Sequence, residues 1–464
     1  MSFASVSFIV FFTVVLSGTA FIERHFSARL KECFLLVASY FFYGYWDWRF
    51  CFLLLFVTLS SYFTAKFAQN KAVYLTGIVI PLVVLGFFKY FNFFLSSLSS
   101  IVGHDLGVLK IILPVGISFY TFQALSYVID AHRGKIAVEH DFIKLALYIS
   151  FFPQLVAGPI VRAADFLPQL REDRRVTFPN ILHGMQLFAF GLFKKIVIAD
   201  HISVFIDDVY EKPTAFHWTA LLLAAVSYSI QIYFDFSGYS DMAIGCAKCL
   251  GYDFRKNFNL PYLSQNVTEF WRRWHISLST WLKEYLYIPL GGNRKGKCRT
   301  LVNLFLTMLL GGLWHGADWT FVFWGGLNGL ALCANKLLSM KKHKKGLAEQ
   351  LLGVTATFCF ITFTWIFFRA DSFTVAWALI KGIFTLQNGV RQPFAWSFVA
   401  IALLCAASVC AVIKNVGKNL SDVDSYYPLL NLNSVKGLTI FFIVIGLILG
   451  LAYTGENPFV YFQF

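Results

Sequence analysis

Apolar residues along the chain gather in runs of membrane-spanning length, separated by short polar gaps. A helix needs about 20 apolar residues to cross a bilayer, with a usual range of about 17–25. Runs of that kind cover 3–22, 33–63, 73–96, 111–129, 142–161, 181–199, 218–235, 301–335, 351–368, 395–413 and 437–453. The second run and the 301–335 run exceed one straight traversal. Segments 238–251 and 276–290 are apolar but short or interrupted, as re-entrant or interfacial helices are. The pattern predicts an all-α polytopic membrane protein with about ten to twelve crossings, forming one integral-membrane domain over 1–464. Pro114, Pro153, Gly158, Pro159, Pro261, Pro289 and the pairs Gly291-Gly292 and Gly311-Gly312 interrupt the runs. Broken backbone at membrane depth survives only where protein or a water-filled cavity satisfies it. The helices are therefore expected to enclose a central cavity.

Composition narrows the class. Of 464 residues, 58% are apolar and 14% charged, and the mean hydropathy is +0.63. A soluble domain averages about 45–50% apolar and about 25% charged. A single core stops growing near about 250–300 residues, so a soluble chain could not hide this much apolar surface. Disorder, collagen, coiled coil and a small disulfide scaffold are excluded on the same grounds. The 39 Lys and Arg against 25 Asp and Glu give a net charge of +14. These charges sit in the gaps between apolar runs, where positive-inside topology explains them, and no nucleic-acid partner is expected. No basic region precedes the apolar residues 1–22, and Glu23, Arg24, Arg29 and Lys31 follow them. That order predicts a retained span that starts outside and has its following loop in the cytoplasm. Most of the nine cysteines lie in apolar runs and act there as small hydrophobes. Cys246 and Cys249 have redox spacing but no supporting second pair, so neither a metal nor a bound cofactor is expected.

Three polar constellations stand inside this apolar background. The first is Leu313-Trp314-His315-Gly316-Ala317-Asp318-Trp319. It lies between two basic flanks, Arg294 to Arg299 and Lys336 with Lys341 to Lys345, both of which should face the cytoplasm. The apolar chain between them must enter and return. Residues 300–335 number 36, fewer than the roughly 40 that two full crossings need. A helix over 301–313 reaches only about 20 Å of a core about 30 Å thick. His315 is then an ionisable residue on irregular backbone within the membrane, a placement that is costly and usually functional. Trp314 and Asp318 stand beside it, and Asn328 can reach back toward it from the returning helix. The blander alternative is a histidine hydrogen-bonded between helices or sitting at the outer interface.

The second constellation runs from Phe270 to Gly292 and holds Arg272, Arg273 and His275. Trp271, Trp274, Leu278, Trp281, Leu282 and Tyr285 recur at spacings of three and four, which predicts one amphipathic helix with these residues on one face. Glu269 and Arg273 form an i,i+4 pair. An interfacial anchor and a site for an anionic donor are both compatible with the pattern. The third is Gln231 to Asp241, in which Asp235 and Asp241 follow an apolar run with hydroxyls and Gly238. These carboxylates can line an aqueous path, hold a broken helix or cap a helix from 240 onward. No phosphate loop, dinucleotide glycine signature, zinc-protease helix or nucleophile elbow is present in the sequence.

At these constellations the sequence resembles the membrane-bound O-acyltransferase family, and within it the bacterial branch of alginate and peptidoglycan O-acetyltransferase membrane subunits and the D-alanyl transfer protein of teichoic acids. The matching strings occupy 152–160, 233–241, 270–279, 287–294 and 311–317, with a further typical ending at 459–464. The resemblance implies acyl transfer from a cytoplasmic thioester such as acetyl-CoA to a hydroxyl acceptor, modifying a cell-surface polysaccharide. It implies that His315 is the family's essential histidine, acting as general base, and that His275 is its second characteristic histidine. It also implies an extracytoplasmic partner of the serine-hydrolase type and a place in the bacterial inner membrane. A transporter or channel, with His315, Asp235 and Asp241 as a polar pathway, is the competing expectation.

Overall fold

The computed structural model describes residues 1–172, 174–338, 346–414, 430–432, 434–455 and 459. The basic run at 341–345 and all of the 459–464 ending except Phe459 lie outside them. Among the described residues the chain is helical, with one isolated β-bridge between Phe216 and Val390. It gathers into two compact units. One comprises Met1–Phe188 and Tyr239–Arg255, the other Ala189–Gly238 and Lys256–Phe464.

The first unit is built from α1 (Val6–His25), α2 (Ala28–Asp47), α3 (Arg49–Lys66), α4 (Lys71–Leu85), α5 (Phe91–Val102), α6 (Ile117–His132), α7 (Phe142–Ser150), α8 (Phe152–Leu155), α9 (Ala163–Arg171) and most of α10 (Phe178–Leu192). Short polar side chains start several of these helices. Ser5, Ser27, Asn70 and Asp141 each accept a first-turn backbone N–H at the N-cap. The long run 33–63 splits at a corner, where Asp47 accepts the Arg49 N–H at 3.0 Å. Helix α6 is buried from Ile117 to Ala131, whereas Val6, Val37, Phe52 and Ile101 stand exposed. Apolar side chains outside and a continuous core within suit a lipid-facing surface. The string at 152–160 is wholly buried. Its Gly158 packs so closely that a Cβ would sit 2.5 Å from the Pro153 carbonyl oxygen.

The second unit holds α11 (Asp200–Glu211), most of α12 (Trp218–Cys249), α13 (Val267–Arg273), α14 (Ile276–Leu282), α15 (Gly296–His315), α16 (Trp319–Leu338), α17 (Leu347–Arg369), α18 (Phe373–Phe384), α19 (Ala395–Lys414) and α20 (Val435–Leu451). Helix α12 corrects an expectation. It runs unbroken through 236–240, so 238–251 is not a short re-entrant segment and neither Asp235 nor Asp241 caps a new helix. Gly238 serves close packing, since a Cβ there would meet the Gly191 carbonyl oxygen at 2.6 Å.

Six helical spans among the described residues are long and apolar enough to cross a membrane: Val6–His25, Arg49–Lys66, Lys71–Val102, Trp218–Cys249, Trp319–Leu338 and Ala348–Arg369. Fewer spans qualify than apolar runs were counted, for local reasons. Helices α2 and α15 open on charged turns, and the runs at 111–129 and 142–161 are cut at Gly116 and at Phe151. The all-α, polytopic membrane class stands.

Candidate active site

The predicted amphipathic helix around His275 does not form as one piece. Helix α13 is capped by Asn266, whose Oδ1 accepts the Glu269 N–H at 2.9 Å, while Glu269 Oε2 accepts the Gln265 N–H at 3.0 Å. It stops at Arg273. Trp274 is extended and His275 takes left-handed backbone angles (φ 43°, ψ 56°) before α14 begins. The cause is tertiary. The segment 257–259 lies along the break and takes its backbone bonds, Ile276 N–H donating to Asn257 O at 2.8 Å and Asn259 N–H to Arg273 O at 2.9 Å. Trp274 turns inward among Phe258, Phe270 and Trp365, with ring centroids 5.0, 5.5 and 5.1 Å away. Trp271 and Trp274 therefore share no helix face.

The break fixes His275 in one chemical form. Asn257 Oδ1 accepts the Ser277 backbone N–H at 3.1 Å, which identifies that atom as the amide oxygen. His275 Nδ1 lies 3.3 Å from the same oxygen and must donate to it. The proton therefore sits on Nδ1, leaving Nε2 as the acceptor nitrogen. His275 is fully buried between two helices too short to span a membrane, and desolvation pushes its pKa down to about 3. It is neutral at any physiological pH.

His315 sits at the tip of a helical hairpin. Cα-level contact between α15 and α16 is possible because Gly312 and Gly325 face each other, their Cα atoms so near that a Cβ on either would stand 3.0 Å from the other. The hairpin is longer than 300–335 because α15 starts at Gly296, drawing Lys297 and Arg299 into its first turns, and α16 runs on to Leu338. Each arm has 20 residues, or about 30 Å. This corrects the expectation that the arms are individually too short. The uncharged part of α15, from Thr300 to His315, still rises only about 22 Å. The turn is Gly316 to Asp318, and Asp318, exposed, caps α16 by accepting the Thr320 N–H at 2.8 Å.

Aromatic rings surround the His315 imidazole. Trp314, Trp324 and Phe368 stand at centroid distances of 5.0, 5.2 and 5.4 Å, and the His275 ring at 6.5 Å. The two sequence-predicted histidines are thus brought together, with Trp314 beside both, 6.1 Å from His275. Asn328 is buried. Its Oδ1 accepts Trp271 Nε1–H at 3.3 Å and its Nδ2 donates to Trp324 O at 3.0 Å, so it holds the tryptophan wall. A cavity of about 400 Å³ opens beside these groups, lined among others by His315, Trp324, Gly311, Met308, Ser279 and Thr280, with Arg272, Lys283 and Lys336 on its border. Along α15 its lining extends from Leu304 to His315, about 16 Å. Because the three cations are exposed and His315 is buried, the cavity leads from a positively charged rim to the imidazole.

A model of the membrane-bound O-acyltransferase family matches residues 35–341. The chain belongs to the membrane-bound O-acyltransferase family. It is 42% identical to the Pseudomonas aeruginosa protein named "Probable alginate O-acetylase AlgI" over 402 residues, covering 83% of this chain and 75% of that one. The Pseudomonas putida protein of the same name is 36% identical over 497 aligned residues, covering both chains fully. A Helicobacter pylori "Peptidoglycan O-acetyltransferase" is 38% identical over 393 residues, covering 77% of this chain and 74% of its own.

Within this acyltransferase fold the other predicted site residues go elsewhere. Arg273 is buried against Glu269 at 3.1 Å, completing the i,i+4 pair, and donates to Asn259 O at 3.2 Å. Only Arg272 of the two arginines borders the cavity. Asp235 joins a buried ion cluster, in which Lys195 Nζ lies 2.6 Å from an Oδ1 of both Asp235 and Asp200. Asp241 is buried on the part of α12 that belongs to the first unit. Three groups were absent from the sequence-level site. Asn257 precedes His275 by 18 residues with no pattern to link them. Phe368 comes from α17, one phenylalanine in an apolar helix. Lys195 carried a usable signal, a cation inside the apolar run 181–199, where an ionisable group demands a partner.

Proposed function

We propose that this acyltransferase passes an acetyl group from a cytoplasmic thioester, acetyl-CoA, to a hydroxyl acceptor, for O-acetylation of a cell-surface polysaccharide such as alginate or peptidoglycan. The observation that carries this reading is the cavity joining the cationic rim of Arg272, Lys283 and Lys336 to His315. Arginine and lysine recognise phosphate-bearing groups, so the rim suits the anionic part of a coenzyme A donor. The thioester carbonyl then lies beside the imidazole. His315 takes the proton from the acceptor hydroxyl as its oxygen attacks the carbonyl carbon. The carbon–sulfur bond breaks, the thiolate takes the proton back from the imidazolium, and an ester and a free thiol leave. His275, neutral and buried, stands near His315 without adding charge.

The names of the relatives support the acetyl group and the polysaccharide acceptor. An inner-membrane location and an extracytoplasmic partner of the serine-hydrolase type complete the proposal, the partner carrying the acyl group to the glycan. The test is a His315→Ala chain, expressed and inserted at the normal level. Loss of acetyl ester from the surface glycan together with loss of coenzyme A release is expected. Ester persisting at the unmodified level would remove His315 from the chemistry. Solute movement without thioester consumption would favour a transporter instead.

A further inference from the structure

Trp324 both lines the cavity and stands against His315. It is 1% exposed and sits edge-on to the imidazole, with an interplanar angle of 88°. Three further aromatic rings brace it. Trp365 stacks on it at 5.4 Å and 19°, Phe368 meets it at 5.0 Å, and Trp271 meets it at 5.6 Å. Rotating it aside requires displacing several buried aromatics at once, and close-packed interiors resist that. Gly311, one helical turn before His315, lines the same cavity. A Cβ at Gly311 would already stand 3.2 Å from Leu282 Cδ1, so the gap between Gly311 and Leu282 is narrow.

We infer that Trp324, backed by Trp365 and Phe368, sets the size of the acyl group, admitting two carbons at His315 and turning away longer chains. The inference rests on the acyl-transfer reading above. A carbonyl carbon within reach of the imidazole leaves its alkyl tail pointing into the Gly311–Leu282 pocket or against the indole face. A methyl group fits there, and each further methylene meets a ring that cannot yield. A pocket wall discriminates one methylene by roughly 10–200-fold.

The experiment measures free thiol released from acetyl-, butyryl- and octanoyl-coenzyme A by native membrane vesicles carrying the full chain, with His315→Ala vesicles as the background. The unmodified chain is expected to use acetyl-coenzyme A and to prefer it to the butyryl thioester by at least about tenfold. Trp324→Ala is expected to lose acetyl turnover and to raise the butyryl-to-acetyl ratio by about tenfold or more. Phe368→Leu, a milder change behind the ring, should raise the same ratio by a smaller factor if Trp324→Ala does not accumulate. Equal use of butyryl and acetyl thioesters by the unmodified chain overturns the gate while leaving acyl transfer intact. An unchanged ratio in both variants does the same. Absence of thiol release from acetyl-coenzyme A by the unmodified chain overturns the acyl-transfer reading and the gate with it.

Discussion

Two polar islands lie in the apolar helices of the second unit, and their fates differ. Lys195, Asp200 and Asp235 are buried together with both carboxylates 2.6 Å from one ammonium group. His315 is buried too, but it lines a cavity and aromatic rings pack against it. In the first island the one ammonium group is taken up by the two carboxylates that pair with it. An imidazole beside open volume has room for a reactant. Depth in an apolar run therefore flags a residue as expensive, and only its surroundings decide whether the cost goes to structure or to chemistry.

Exchanging the two sites' properties is the strongest way to break this comparison. His315→Gln should lower turnover by about 10²–10⁴-fold, the span of a general base, with little change in unfolding midpoint. A variant that unfolds early while keeping its residual specific activity would make His315 a packing residue. Lys195→Met should do the reverse, costing about 3–5 kcal/mol in detergent-denaturant unfolding because two buried carboxylates lose their counter-charge. Replacing all three members by apolar residues of similar size should recover most of that loss. If the triple variant is stable yet inactive, the cluster belongs to the reaction after all.

Smaller effects sharpen the picture at His275. Asn257→Leu leaves the Nδ1–H and the Ser277 N–H without their acceptor and should cost about 1–3 kcal/mol of stability. It should also lower kcat more than it raises KM, because the tautomer is no longer fixed, and an unchanged kcat would dismiss the positioning role. The pH dependence follows from the depressed pKa of about 3 in the folded protein. An unfolded histidine titrates near about 6.5, so below that pH the unfolded state binds the proton that the folded state refuses. Stability is complete above about pH 6.5 and declines as the pH falls toward 3. The unfolding midpoint of a His275→Gln chain should fall less between pH 7 and pH 5 than that of the unmodified chain, and parallel curves would contradict the burial. Smallest of all, Arg272→Ala, Lys283→Ala and Lys336→Ala should each raise KM for an anionic thioester by roughly two- to fivefold, since exposed charge contacts are worth about 0.2–1 kcal/mol. Added salt should shrink those differences.

Much of this was legible in the chain itself. Hydropathy alone gave the polytopic helical class, and the basic flanks with Gly-Gly-Leu-Trp-His-Gly singled out the hairpin and its histidine. The period of three and four after Phe270 misled, because it implied a single helix where Asn257 and Asn259 pull the backbone apart. Periodicity records which residues prefer burial and carries no information about a distant strand of chain competing for the same hydrogen bonds. Asp235 shows a different limit, since a sequence shows a buried charge without showing its counter-ion 40 residues upstream.

What the sequence determined was energetic preference: which segments leave water, where a helix can begin, and which ionisable groups are costly enough to need a reason. The tertiary structure decided the pairings. It gave Asp235 to Lys195, locked the His275 proton on Nδ1, and set Trp324 and Phe368 around His315 beside a cavity. Those outcomes depend on contacts between residues far apart in the chain, and short-range patterns of hydrophobicity and charge hold no record of which distant partner arrives.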